Sequence, residues 1–170
     1  MFFASDNAGI AHPQVLEHVV RANTGYAMAY GNDEIMDGVR GTLREVFEAP
    51  DAAVYLVALG TAANSLALAC YAKPYDTVYC SPVAHIHKDE CNAPEFYTGG
   101  AKLTLVPGGD KMTPEALRTC IEGEYTHGLH GPQPGPLSIT QVTELGSVYS
   151  LDELRALTPD RPVLRGTAQN

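Results

Sequence analysis

The sequence predicts an α/β fold, a mainly parallel sheet with helices on both faces. Three observations carry this expectation. From Val54 onward, short β-rich runs alternate with helical patterns. Glycine or proline marks most of the joints between them. Hydrophobic residues make up 45% of the 170-residue chain, enough for a substantial core in one compact domain.

The elements follow in order. "QVLEHVVRANTG" comes after Pro13, which suits a first helical turn. Val15, Leu16, Val19 and Val20 share one face, and Gly25 is the expected stop. In "YGNDEIMDGVRGTLREVFEAP", Asn32 is the expected cap, Ile35, Val39, Leu43, Val46 and Phe47 keep helical spacing, and Pro50 ends the run. "AAVYLVAL" at 52–59 reads as a buried strand. A helix of small residues runs from Gly60-Thr61 to Lys73, stopped by Pro74. "DTVYCS" from Asp76 is a second strand, and "HKDECNAPEFYTGG" reads as a short helix broken at Pro94, then a turn at Gly99-Gly100. "AKLTLVPG" is a third strand. "TPEALRTCIEG" has a Thr113 cap, Pro114 at the first helical position and Gly123 as stop. "THGLHGPQPG" reads as loop, and "PLSITQVTE" from Pro136 as a fourth strand. Ser150 and Glu153 form a capping box for the last helix.

Lys and Arg total 11 against 20 Asp and Glu, a formal net charge of −9. That balance disfavours nucleic acid and anionic membrane as partners. It does not disfavour a small phosphate, which main-chain amides bind without net positive charge. The N-terminus lacks a basic segment followed by an apolar one, and no apolar run reaches membrane-spanning length. Cys70, Cys80, Cys91 and Cys120 form no C-x-x-C pair, which disfavours a zinc site and suits reduced thiols in the cytoplasm.

Ligands of such sheets sit beyond the carboxyl ends of the strands. Gly60, the stretch 80–87 and the stretch 140–144 all fall at strand ends, so they are expected to share a crevice. At Gly60-Thr61 two readings stand. One is a cup for a phosphate, formed by amides around Thr61 and Ala62. The other is a tight turn with nothing bound. Neither G-x-x-x-x-G-K-[ST] nor G-x-G-x-x-G occurs. His85 and His87 form an H-x-H pair without further ligands nearby, which favours loop histidines, or a ring against an aromatic ligand, over a metal site. Lys88 lies in a polar stretch that favours a solvated amine over a Schiff base.

Taken together, "FASDNAG", "YAMAYGNDEIM", "ALGTAANSLAL", "SPVAHIHKDE" and "LSITQVTELGSVYSLDEL" resemble the low-specificity threonine aldolase family, closest to its phenylserine-aldolase-like branch. The resemblance spans about 3–157. It implies a partial large domain of a fold type I enzyme over 1–157, with an N-terminal arm and an irregular tail at 158–170. It implies pyridoxal 5'-phosphate as cofactor and retro-aldol cleavage of a β-hydroxy-α-amino acid to glycine and an aldehyde. By the same resemblance Gly60 and Thr61 bind the cofactor phosphate. His85 stacks on the pyridine ring and is the catalytic candidate, alongside a bound water. Ser5 lies near the substrate carboxylate, and Tyr30 lies close to the site. A homo-oligomer, dimer or tetramer, is implied.

In many relatives a histidine stands where this chain has "TQVTE", with Thr143 at about that place and Glu144 beside it. The family's Schiff-base lysine, pyridine-binding aspartate and carboxylate-binding arginine have no match in "TPDRPVLRGTAQN". The expectation is therefore a truncated chain with little or no activity alone. The alternative is a non-catalytic α/β module that binds an anion or a partner.

Overall fold

The structure is a computed structural model and describes residues 8–158. The chain divides into two compact units, with the boundary between Leu56 and Val57.

In the first unit, α1 spans Pro13–Ala22 and α2 spans Glu34–Val46. Pro13 occupies the first turn of α1 as expected, and Gly25 follows its end with φ +67°. The cap of α2 is Asp33, not Asn32: the Asp33 carboxylate accepts from the Met36 amide at 2.9 Å. The carboxylate carries full charge toward the helix N-terminus, which the neutral Asn32 amide cannot match. Val15, Leu16, Val19 and Val20 form an exposed stripe on α1.

The stretch 52–59 is not a strand. It joins no ladder among the described residues, and Tyr55, Leu56, Val57 and Leu59 are exposed. Apolar, β-branched sequence makes a strand only where a neighbour supplies hydrogen bonds and a covering layer.

In the second unit, α3 spans Gly60–Tyr71, β1 Asp76–Cys80, α4 His85–Lys88, α5 Ala93–Tyr97, β2 Lys102–Leu105, α6 Pro114–Thr126, β3 Gln133–Leu137 and α7 Leu151–Leu157. The three strands form a parallel sheet in the order β2-β1-β3. Alternate residues of β1 feed two cores. Val78 and Cys80 join Leu68 of α3 and Ala72, just past its end, on one face. Tyr79 joins Leu117 of α6 and Leu157 of α7 on the other. Helices thus cover both faces, as the sequence predicts.

Several boundaries differ from expectation, each for a local reason. Pro94 does not break a helix but sits in the first turn of α5. Gly123 does not stop α6, which continues to Thr126. The Thr104 hydroxyl donates to the Glu124 carboxylate at 3.0 Å and holds that last turn against the sheet, which outweighs glycine's weak preference. The last strand begins at Gln133 rather than Pro136, and the stretch after Leu137 leaves the ladder. The prolines at 134 and 136 fit because β3 is an edge strand. Gly135 is required there: a Cβ would lie 2.5 Å from the Thr77 carbonyl oxygen. Thr113 caps α6, and the Ser150–Glu153 box caps α7, both as predicted.

Candidate functional site

The site is built at the start of α3 and just past β1. The N-cap of α3, Leu59, offers no side-chain hydrogen bond. The amides of Ala62 and Ala63 both turn onto the Leu59 carbonyl, at 3.1 and 3.2 Å. The amides of Gly60 and Thr61 have no acceptor among the described residues. Gly60 is exposed and Thr61 half-buried. The helix therefore presents two free donors and its positive end, the ordinary physics of an anion site. Ala62, which the sequence also offered, is already engaged.

One carboxylate links this helix to the histidine after β1. Glu90 is buried, 2% exposed, and its Oε1 accepts from Asn64 Nδ2 at 2.6 Å and from His85 Nδ1 at 2.8 Å. Asn64 stands one turn beyond Gly60 on the same side of α3. Glu90 Oε2 is buried with no partner among the described residues. His85 opens α4, and its backbone amide donates to Glu144 Oε1 at 2.7 Å. With Nδ1 bound to the carboxylate, Nε2 is the ring nitrogen left for other work.

A small cavity of about 10 Å³, room for one water, opens where the ends of β1 and β3 meet, among Ser81, Thr140, Thr143 and Glu144. The expected crevice thus joins the stretches 80–87 and 140–144, while Gly60 reaches His85 through Asn64 and Glu90 instead.

The two residues of "TQVTE" divide their roles. Thr143 is buried: its hydroxyl donates to Asp110 Oδ2 at 2.5 Å and accepts from the Ser147 amide at 2.9 Å. The bond from the Thr143 hydroxyl first, and then one from Ser147 to the same carboxylate, hold the Asp110 carboxyl below its usual range. Thr143 is thus committed to its loop, and Glu144 is exposed. Cys80 is fully buried at the end of β1. Burial, followed by the nearby charges of Glu95 and Glu144, pushes its thiol up to about 12, so it is no nucleophile.

Of the expected site residues, the structure brings Gly60, Thr61 and His85 into the second unit. Tyr30 lies in the first unit, 98% exposed, in a turn with φ +62°. Ser5 lies outside the described residues. His87 and Lys88 are exposed. Sequence reasoning assigned no role to Asn64 or Glu90. Their signal was present, since Asn64 ends "GTAAN" and Glu90 ends "HKDE", but the pairing crosses 26 residues and is invisible to local pattern. Among the described residues, no group of three or more His, Cys, Asp and Glu is placed to hold a metal ion, and no helix is long and apolar enough to cross a membrane.

The chain belongs to the beta-eliminating lyase family, whose model matches residues 3–159. Members of this family depend on pyridoxal 5'-phosphate. Within it, the chain is 41% identical over 157 residues to a low specificity L-threonine aldolase from Pseudomonas sp., covering 92% of this chain and 44% of the relative. It is 40% identical over the same length to the enzyme of that name from Pseudomonas aeruginosa. Among solved structures it matches threonine aldolase from Leishmania major with a TM-score of 0.80 and 26% identity, over 87% of this chain and 42% of the other. The chain thus spans less than half the length of these relatives.

The residues present fit this cofactor. Two free amides at a helix start suit its phosphate, and a histidine held from behind by a carboxylate suits its aromatic ring.

Proposed function

We propose that this chain is the phosphate- and ring-binding portion of a pyridoxal-phosphate-dependent aldolase. The reaction is carbon–carbon cleavage of β-hydroxy-α-amino acids such as threonine or phenylserine, giving glycine and an aldehyde. The observation that carries the reading is the chain of contacts from α3 through Asn64 and Glu90 to His85, because it ties the helix with the free amides to the histidine. The names of the Pseudomonas relatives support the substrate class.

When bound, the cofactor supplies the electron sink for breaking Cα–Cβ. The chain's own residues do the rest. The Gly60 and Thr61 amides take the phosphate, with the Thr61 hydroxyl as a further donor. His85 lies against the ring and presents Nε2 to carry a proton. Thr143, Asp110 and Ser147 brace the loop that holds Glu144 on the His85 amide. The family resemblance assigns Ser5 and Tyr30 to the substrate. The working assembly is a homo-oligomer, a reading supported by the exposed apolar stripe of α1, and the compartment is the cytoplasm, which suits the four free cysteines.

Titration with pyridoxal 5'-phosphate, followed by absorbance and equilibrium dialysis, tests the reading. Saturable binding with competition by inorganic phosphate is expected, and its absence would overturn the reading. One observation favours a second reading, a non-catalytic anion-binding module. All four lysines, Lys73, Lys88, Lys102 and Lys111, are exposed or, for Lys111, paired with Glu153 at 2.5 Å, so none is buried as a reactive amine is. Borohydride treatment separates the two. Reduction onto one defined lysine supports catalysis by this chain, and phosphate-competed binding without reduction supports the module.

A further inference from the structure

Glu90 presents an arrangement that a purely structural carboxylate rarely adopts. Its side chain has no solvent exposure, yet only one of its two oxygens is used. Oε1 takes both available donors, and Oε2 takes none. A buried carboxylate ordinarily spreads its bonds over both oxygens, because an unpartnered one costs desolvation with no return. The two donors come from separate elements. Asn64 belongs to the first two turns of α3, and His85 to the start of α4. Gly60 and Asn64 are four residues apart, about 6 Å along the helix axis, so a shift of Asn64 is passed directly to the free amides.

Resting on the cofactor reading above, we propose that Glu90 is the positioning residue of the site. Through Oε1 it holds His85 with the proton on Nδ1, and through Asn64 it sets where the phosphate-binding end of α3 stands relative to that ring. A single atom thus fixes the spacing between the two halves of the cofactor pocket, and Nε2 is left bare on the ring's far side.

The test uses the 170-residue chain and the variants Glu90→Gln, Glu90→Ala and Asn64→Ala. Glu90→Gln keeps an acceptor at Oε1 and nearly the same shape, so it reports even where Glu90→Ala does not fold. Circular dichroism and melting confirm the fold of each.

The first readout needs no cofactor. Long-range proton–nitrogen NMR of the neutral His85 ring is expected to show Nδ1 protonated in the wild type and in Asn64→Ala, with the proton redistributed toward Nε2 in Glu90→Ala. A purely structural role in stability would not move this signature between folded variants. An Nε2-protonated ring in the wild type, or a ring unchanged in folded Glu90→Ala, overturns the proposal.

The second readout is affinity for pyridoxal 5'-phosphate and, separately, for inorganic phosphate. Glu90→Gln is expected to bind the cofactor about fivefold more weakly, the difference between a charge-assisted and a neutral hydrogen bond. Asn64→Ala is expected to weaken inorganic phosphate while leaving the His85 signature intact. Wild-type affinity in folded Glu90 variants overturns the role of Glu90 alone. Failure of the wild type to bind overturns the reading of the site and this role with it, and the NMR result then still states whether the His85–Glu90 bond exists.

Discussion

Gly60→Pro isolates the phosphate donors from the fold. Proline is well tolerated at the first position of a helix, where its missing N–H has no partner to lose. Gly60 is that position in α3, and Leu59 before it has φ −161° and ψ 168°, the extended backbone that a residue before proline adopts. The substitution therefore removes one of the two free amides and leaves the helix in place. A hydrogen bond to a charged group is worth about 1.5–3 kcal/mol. Losing one donor should weaken pyridoxal 5'-phosphate binding by roughly tenfold to a hundredfold. The Thr61 amide and the helix dipole remain, the latter worth about 0.3–1 kcal/mol, so binding is reduced and not abolished. Equilibrium dialysis measures the affinity, and circular dichroism checks that α3 is intact. A folded Gly60→Pro chain with wild-type affinity would refute the assignment of these amides to the phosphate.

Three further expectations concern the framework of the site. The Glu153 carboxyl is held down to about 2, first by its bond from Lys111 and then by bonds from the Ser150 backbone and side chain. The folded value lies below the unfolded one, so the stability it contributes is full above the unfolded carboxylate range and is lost as pH falls toward 2. Glu153→Gln should lower the melting temperature at pH 7 and flatten its decline on acidification, and an acid limb identical to the wild type would contradict the pairing. Because the Cys80 thiol is pushed up to about 12 and fully buried, maleimide at pH 7 should label the exposed Cys70 and Cys91 and spare Cys80 in the folded chain, as read by mass spectrometry. Gly135→Ala places a Cβ 2.5 Å from the Thr77 carbonyl oxygen, which should cost about 1–3 kcal/mol in urea unfolding, and an unchanged midpoint would show that β3 can move aside.

Local chemistry was legible from the residues alone. Pro13, Thr113 with Pro114, and the Ser150–Glu153 box announced three helix starts, because a cap is decided within four residues. The β1 and β2 strands and the glycine turn between α5 and β2 were legible for the same reason. So were His85 and the Gly60-Thr61 joint as places of interest, since they interrupt a strand-and-helix rhythm with polar or pliant residues.

What the residue string could not decide depends on partners far along the chain. The stretch 52–59 has strand-forming side chains, but a strand exists only beside another, and none pairs with it among the described residues. Gly123 looked like a stop until the sheet, through Thr104, held Glu124 in helix. Ala62 looked like a free donor until Leu59 claimed it. The joining of Asn64, Glu90 and His85 belongs to tertiary structure alone: it costs backbone entropy to bring these elements together, and the two cores of the sheet supply the free energy that does so.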